Sequence, residues 1–367
     1  PMSHSPTVLE ISLSAVEHNF NYFKSKVSSG TKMLAVVKAS GYGSDAIAVA
    51  TMLEEKGVDY FAVAYADEGI ALRNAGVASP ILVLHPQFRN LELMSSYSLE
   101  PNLYSEKILR EFVRISKMQD LQSYPVHLKF NTGLNRLGFR GENMKKVHSL
   151  LKDEKTVRVK SIFSHLVASE DFQAREFTLQ QIQEFEAIAQ EFEKLWGYKP
   201  LRHMTNTSGV LNYPEAHFDM VRIGLGLYGF ANDASEDAKL RNVLSLKSVI
   251  SQIHEVGEGE TVGYNMGHTA HAPLRTATIP IGHADGIFRS LGQKKISVEI
   301  NGEKAPVIGN ICMDMIMADV TEINCEEGNE VVVFDDQENI KKMANQAHTI
   351  SYEILTALGP RIRRKII

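Results

Sequence analysis

Residues 32–64 read KMLAVVKASGYGSDAIAVATMLEEKGVDYFAVA. The run Lys32-Met33-Leu34-Ala35-Val36-Val37 is short and apolar, the pattern of a strand buried on both faces. Ala46 to Glu55 follows as a helix, with Ser44 read as its N-cap. Tyr60-Phe61-Ala62-Val63-Ala64 then repeats the buried strand. A strand, a helix and a second strand of this kind predict a parallel βαβ unit.

The same beat continues outward. Asp67 to Asn74 reads as a helix ended by Gly76, Pro80 to Leu84 as a strand, and Leu91 to Ser96 as a helix. Glu100 to Tyr104 is a weaker strand, and Glu106 to Met118 a clear helix. Strands at Pro125–Phe130 and Val157–Phe163 are each followed by a helix, Asn143–Lys152 and Phe177–Leu195. Leu201–Thr205 and Asp219–Ile223 complete eight strands. Eight beats within roughly 200 residues predict a (β/α)8 barrel. A doubly wound open sheet ranks second, because Gly41-Tyr42-Gly43 lacks the third glycine of its phosphate-binding turn.

After residue 235 the texture becomes β-rich: Leu244–Val256, Arg275–Ile281, Ile296–Ile300, Ala305–Ile308, Met315–Val320 and Val331–Phe334. Asn301-Gly302 between two of these is a hairpin signal. The expected division is a barrel over 12–235 and a mostly β domain over 236–367, to which the strand at 7–11 is assigned.

Composition narrows the class. The chain has 367 residues, 44% hydrophobic and 23% charged, as globular proteins have. A formal net charge of −5 gives no general attraction for nucleic acid or an anionic membrane. No uncharged apolar stretch reaches the roughly 18–20 residues of a membrane helix. Pro1-Met2-Ser3-His4-Ser5-Pro6 lacks the charged start and apolar core of a signal peptide, and Pro1 before Met2 reads as a tag remnant. Two cysteines, Cys312 and Cys325, make no disulfide framework in a chain of this length, so the expected compartment is the cytoplasm. No metal is assigned.

Barrels place chemistry at the C-terminal ends of their strands. Those ends carry Lys38, Lys129, His165, Asn206 and Arg222. Any one of them alone reads as a solvated strand end; five together read as a site. A partly desolvated lysine such as Lys38 suits imine chemistry. Backbone N–H groups at Gly224, with the Thr207 and Ser208 hydroxyls, suit a phosphate, although close packing explains a Gly-x-Gly pair equally well. An imine-forming lysine beside a phosphate cradle points to pyridoxal 5'-phosphate.

These residues sit in longer motifs. Ala35-Val36-Val37-Lys38-Ala39-Ser40-Gly41-Tyr42-Gly43 resembles the cofactor-lysine motif of bacterial alanine racemases. The likeness continues through Lys129-Phe130-Asn131-Thr132-Gly133-Leu134-Asn135-Arg136-Leu137-Gly138-Phe139, Ser164-His165-Leu166, Asn206-Thr207-Ser208, Val221-Arg222-Ile223-Gly224 and Tyr228-Gly229. In the second domain it includes Val262-Gly263-Tyr264, Gly282-His283-Ala284-Asp285-Gly286, Ile311-Cys312-Met313-Asp314 and Thr349-Ile350-Ser351-Tyr352-Glu353.

The resemblance implies a barrel followed by a β domain, paired head to tail as a homodimer with shared active sites. It implies that Lys38 carries the cofactor and acts as one base, and that Tyr264 of the other subunit is the second. Arg222 would face the pyridine nitrogen, with His165 linking Arg222 to Tyr264. Arg136 would touch the cofactor's phenolic oxygen and the substrate carboxylate, which the Met313 backbone N–H would also meet. Tyr42, Asn206, Thr207, Gly224, Leu225 and Tyr352 complete the implied cofactor set. Lys129 would be carbamylated and orient Arg136. The implied role is D-alanine supply for the cell wall.

Four positions depart from the family pattern: Asn131 for an aspartate, His283 for an entrance tyrosine, Asn310 for an entrance arginine and Ser40 for an asparagine. The entrance changes motivate an alternative, a serine or broader-specificity racemase of the same fold. Arg222 argues against a barrel-type decarboxylase, which is expected to set a carboxylate at the pyridine nitrogen. The second domain, with Tyr264 and Met313, argues against a non-enzymatic cofactor carrier.

Overall fold

The computed structural model describes residues 4–367, so Pro1 and Met2, read above as a tag remnant, lie outside the described residues. Strand β1 (Val8–Ile11) leads into a helix at Leu13–Lys24. The barrel strands follow: β2 (Lys32–Val36), β3 (Tyr60–Val63), β4 (Ile81–Val83), β5 (Leu99–Leu103), β6 (Tyr124–Lys129), β7 (Val157–Phe163), β8 (Leu201–His203) and β9 (Met220–Ile223). They form one eight-stranded sheet in the order β8-β7-β6-β5-β4-β3-β2-β9, with every ladder parallel. β8 and β9 close the ring through Asp219 N–H to the Arg202 carbonyl (3.0 Å), Arg222 N–H to the Thr205 carbonyl (3.2 Å) and an Arg202–Asp219 ion pair. The open doubly wound sheet is thereby excluded.

Why these segments fold so is visible locally. The β3 and β4 residues are all buried, as strands packed inside and outside a barrel must be. The helix Glu106–Met118 buries Ile108, Leu109, Phe112 and Ile115 on one face, and the Ser105 hydroxyl caps its first turn at Ile108 N–H. Burying a side chain such as Phe112 stabilises the fold by roughly 1.5–3 kcal/mol. The helix Ala46–Glu55 is capped by Asp45, which accepts from Ala48 N–H at 3.0 Å, and not by the expected Ser44. The Ser44 hydroxyl instead donates to the Gly41 carbonyl, tying down the turn before the helix.

Beyond the barrel come β10 (Leu244–Val249), β11 (Gln252–Val256), β12 (Thr261–Val262), β13 (His268–Thr269), β14 (Leu274–Ile279), β15 (Ser297–Ile300), β16 (Glu303–Ile308), β17 (Ile316–Asp319), β18 (Glu330–Phe334) and β19 (Arg363–Ile366). The β-rich segment Leu244–Val256 forms two strands, β10 and β11. A nine-stranded sheet runs β11-β14-β17-β16-β15-β18-β10-β1-β19, so β1 pairs with β10 and β19 and not with the barrel. Here burial alternates along β10, the mark of a sheet with one covered face. Ile300 pairs with Glu303 across Asn301 (φ 51°) and Gly302 (φ 80°), the two-residue turn that Asn-Gly favours.

The β domain touches the barrel mouth of its own chain. Gly43 (φ 80°) lies so close to the Leu355 carbonyl that a Cβ there would overlap it. Arg364 Nη2 donates to the Gly43 carbonyl at 3.0 Å, and the Tyr42 and Tyr352 rings lie 6.2 Å apart.

Candidate active site

All five strand-end residues line a single cavity of about 640 Å³ at the barrel mouth. Lys38 follows β2. After it the backbone turns left-handed through Ala39 (φ 51°), Ser40 (φ 56°), Gly41 (φ 65°) and Tyr42 (φ 56°). Such conformations cost non-glycine residues about 1–3 kcal/mol each and persist only where neighbours hold them. Glu68 does part of the holding: its carboxylate accepts from Ala39 N–H (2.7 Å), Ala64 N–H (2.8 Å) and Tyr65 N–H (2.9 Å). Burial lowers the Lys38 pKa, the nearby Arg136 and Arg222 charges lower it further, and Glu68 opposes them.

Lys129, at the end of β6, is buried, with its amine 5.9 Å from the centre of the Phe163 ring. Burial and the charges of Arg136, Arg222 and Lys38 bring its pKa down to about 7. Arg222, in β9, donates through Nη1 to His203 Nδ1 (2.9 Å) and through Nη2 to the Ser164 carbonyl (2.8 Å) and His165 Nδ1 (2.9 Å). A guanidinium has no acceptor, so both histidines present bare Nδ1 atoms and carry their proton on Nε2. Burial, with Arg222 adding, holds both well below the usual histidine range. Burial and Arg136 bring Arg222 down to about 9, still a cation at neutral pH.

Two short turns aim their N-termini at the same space. Asn206 caps Thr207–Asn212 by accepting from Gly209 N–H at 3.0 Å, and Gly224 opens the turn Leu225–Tyr228. N–H groups in a first turn have no intrahelical acceptor and attract anions. Asn206, Thr207, Gly224 and Leu225 line the cavity with Tyr42 and Tyr352. A Cβ at Gly224 would overlap the Tyr42 hydroxyl, whereas one at Gly226 would meet the Phe23 ring at 2.5 Å. The two glycines therefore serve different needs, a close approach at the cavity and packing against a helix. Ser208 corrects the expectation: its hydroxyl accepts from Asn232 Nδ2 (3.1 Å), and Ser208 is not among the cavity-lining residues.

Arg136 reaches the cavity from the loop after β6. Asn131 shapes that loop, accepting from Gly133 and Asn135 N–H groups (3.1 and 3.0 Å) and donating to Asn135 Oδ1 (2.9 Å). An amide serves this turn as well as a carboxylate does, so the departure at 131 leaves the loop intact. The cavity thus gathers Lys38, Lys129, Arg136 and Arg222, and among the described residues no Asp or Glu lines it. Four basic side chains with no carboxylate on the cavity wall make a receptor for anionic groups. An amine for an aldehyde and an anion cradle for a phosphate fit pyridoxal 5'-phosphate.

Tyr264 and Met313 lie elsewhere. Both are on the β domain, 70% and 58% exposed, and Tyr264 lines a separate groove with His254, Glu255 and Cys312. The structure of one chain does not bring them to Lys38. Sequence reasoning passed over Tyr65, His85, Asn102 and His203, of which the first three line the cavity and the last holds Arg222. Their signal was a polar residue inside or just after an apolar strand.

The family model "Alanine racemase, N-terminal domain" matches residues 11–232, and "Alanine racemase, C-terminal domain" matches residues 243–366. The chain belongs to the alanine racemase family. An alanine racemase of Halothermothrix orenii is 34% identical over 372 residues, covering 98% of this chain and 96% of that protein. Among solved structures, an alanine racemase of Clostridium difficile superposes with a TM-score of 0.93 at 30% identity, over 99% of this chain and 96% of that one. An alanine racemase from Bartonella henselae with covalently bound pyridoxal phosphate gives a TM-score of 0.88 at 27% identity, over 98% and 99% of the two chains. As in other alanine racemases, the fold is a barrel with a separate β domain.

Proposed function

We propose that this chain interconverts L- and D-alanine with pyridoxal 5'-phosphate, using two bases: the Lys38 amine of one subunit and the Tyr264 phenol of a second copy. The observation that carries it is the meeting of Lys38, Arg222 and the two turn N-termini in one cationic cavity. When bound, the cofactor supplies an electron-withdrawing ring that makes the Cα–H of an attached amino acid acidic. Lys38 would join it through the amine, Tyr42, Thr207, Gly224, Leu225 and Tyr352 would hold its phosphate, and Asn206 and Arg136 would complete its contacts.

Racemisation needs a proton removed from one face of Cα and returned on the other. Lysine and tyrosine are poor bases at ordinary pKa values near 10, so their surroundings must shift them. For Lys38, burial and cationic neighbours do so. His165, with Nδ1 engaged by Arg222, has its Nε2–H free to donate to the Tyr264 oxygen of the second copy. Arg222 stays a cation at neutral pH and gives up its proton poorly, so a pyridine nitrogen held against it would remain unprotonated. Arg136 and the Met313 N–H of the second copy receive the substrate carboxylate. Lys129, with a pKa brought to about 7, has a neutral amine available to carbon dioxide. The neutral amine nitrogen bonds the carbon of carbon dioxide and loses one proton to solvent, leaving a carbamate anion that would face Arg136.

In this reading the barrel (12–235) of one subunit is capped by the β domain (236–367, with 7–11) of the other, in a homodimer. Cys312 and Cys325 are unpaired, as a reducing cytoplasm keeps them. Among the described residues no helix is long and apolar enough to cross a membrane. The product serves the cell wall. Formation of D-alanine from L-alanine, measured by a coupled assay with and without added cofactor, tests the reading; no D-alanine with cofactor present rejects it.

The entrance supports a second reading, a broader or serine racemase. His283 is exposed, and Asn310 donates from Nδ2 to the Tyr264 carbonyl at 3.0 Å, bracing the loop of Tyr264. Rates with L-alanine against L-serine separate the two.

A further inference from the structure

The barrel interior beneath Arg222 carries a line of polar side chains that the reaction as proposed leaves unused. His127, Ser161 and His203 are wholly buried, and Glu100 nearly so. They are joined end to end. Arg222 Nη1 donates to His203 Nδ1 at 2.9 Å. His203 Nε2 meets Ser161 Oγ at 2.9 Å, Ser161 Oγ meets His127 Nδ1 in a short contact, and His127 Nε2 meets Glu100 Oε1 at 2.8 Å. The Tyr60 hydroxyl also donates to Glu100 Oε1, at 2.8 Å.

Only one assignment of protons satisfies this line. Arg222 can only donate, so His203 Nδ1 accepts and His203 Nε2–H donates to Ser161. The Ser161 hydroxyl then donates to His127 Nδ1, and His127 Nε2–H donates to the Glu100 carboxylate. Were His127 doubly protonated, Ser161 would face two donors with no acceptor for its own proton. The guanidinium at one end and the buried carboxylate at the other thus fix the two histidine tautomers, and the Ser161 hydroxyl joins them.

The backbone is arranged for this line. In the β6–β7 ladder Val126 pairs with Val159, but the register slips and His127 pairs with Ser161. Without the slip His127 would oppose Lys160, which is exposed. Phe163 lies face to face with the His203 ring, at 4.7 Å and 5° between planes, and Arg222 sits 5.5 Å from the centre of the same ring. An irregularity that brings two polar groups together in a barrel core is a built feature of the sheet.

We propose that Glu100, His127, Ser161 and His203 are positioning residues for Arg222: the column presents one fixed acceptor to Nη1 and thereby sets which edge of the guanidinium faces the cavity. It rests on the reading of Arg222 as the group that meets the cofactor ring. All four lie outside the cavity-lining set and act on the cavity only through Arg222.

The test is Ser161→Ala, with Ser161→Thr as the variant that keeps the hydroxyl and Glu100→Gln as one that keeps shape but weakens the acceptor. Nitrogen-15 NMR of the histidine-labelled, cofactor-free chain reads the tautomers. His203 and His127 are expected as Nε2–H forms in the wild type; in Ser161→Ala the His203 Nε2–H loses its acceptor, so His203 is expected to gain Nδ1–H form at the expense of its bond to Arg222, while His127 stays bonded to Glu100. With pyridoxal phosphate and alanine, Ser161→Ala is expected to lose roughly ten-fold or more in kcat while KM stays within about two-fold, as losses of groups behind a site's contacting residues do. Ser161→Thr should recover most of that loss, and Glu100→Gln should move both readouts the same way by less. A wild-type His203 protonated on Nδ1, or unchanged tautomers and kcat in Ser161→Ala and Glu100→Gln, would overturn the column. A wild type that binds the cofactor but does not racemise alanine would reject the reading of function, and the tautomers would still decide the column.

Discussion

Lys38→Ala and Tyr264→Ala, each dead alone, are expected to restore activity when mixed. Lys38 lines the barrel cavity, whereas Tyr264 of the same chain is 70% exposed on the β domain and lines another groove. If one site draws its lysine from one subunit and its tyrosine from the other, a mixed dimer has one site lacking both bases and one lacking neither. Random pairing of equal amounts makes about half the dimers mixed, and half the sites in those are intact. The mixture should therefore recover about 25% of wild-type activity per subunit. Each parent alone should fall by roughly 10²-fold or more, the usual cost of a lost acid–base group. The variants are co-expressed with different tags, the doubly tagged dimer is purified, and its D-alanine formation should reach about half of the wild-type rate per site, because one of its two sites is intact. A doubly tagged dimer with no more activity than its parents would show that each site lies within one chain or that Tyr264 is not a base.

Lys38→Ala by itself should abolish the absorbance that the wild type acquires with pyridoxal phosphate; a variant retaining that absorbance and full turnover would remove Lys38 from its role. Lys129 is held near pKa 7 in the fold, below its ordinary value, so its amine becomes neutral as pH rises through about 7. A carbamate signal in carbon-13 NMR with labelled bicarbonate should grow over that window and vanish in carbon-dioxide-free buffer at lower pH; no signal at pH about 8 would reject the modification. Gly224→Ala forces a Cβ into the Tyr42 hydroxyl, so cofactor affinity should fall by roughly ten-fold, about 1.4 kcal/mol, with little change in unfolding midpoint. Fluorescence titration with pyridoxal phosphate checks this, and unchanged affinity would mean the cradle does not depend on that approach.

Much of this was legible along the chain because its causes are local. Buried parallel strands announce themselves as apolar runs, so all eight barrel strands are readable between Lys32 and Ile223, and their C-terminal ends carry Lys38, Lys129, His165, Asn206 and Arg222. Asn301-Gly302 marks its hairpin because asparagine and glycine tolerate positive φ where other residues resist it.

What escaped depends on partners distant in sequence. Strand β19 is Arg363-Arg364-Lys365-Ile366, with no alternation to reveal it, and exists because β1, some 350 residues earlier, offers a parallel edge. The cap of the helix Ala46–Glu55 falls on Asp45 because the left-handed turn after Lys38 claims Ser44 for the Gly41 carbonyl. The residues His127, Ser161 and His203 read as ordinary strand positions, and only closure of the barrel, with its slip between β6 and β7, lines them up behind Arg222. The sequence by itself determined the residue types, their order and the strand ends on which they stand. The tertiary structure decided which face meets which, and hence the pKa values, tautomers and charge of the cavity, because those depend on burial and on neighbours that the chain brings together only by folding.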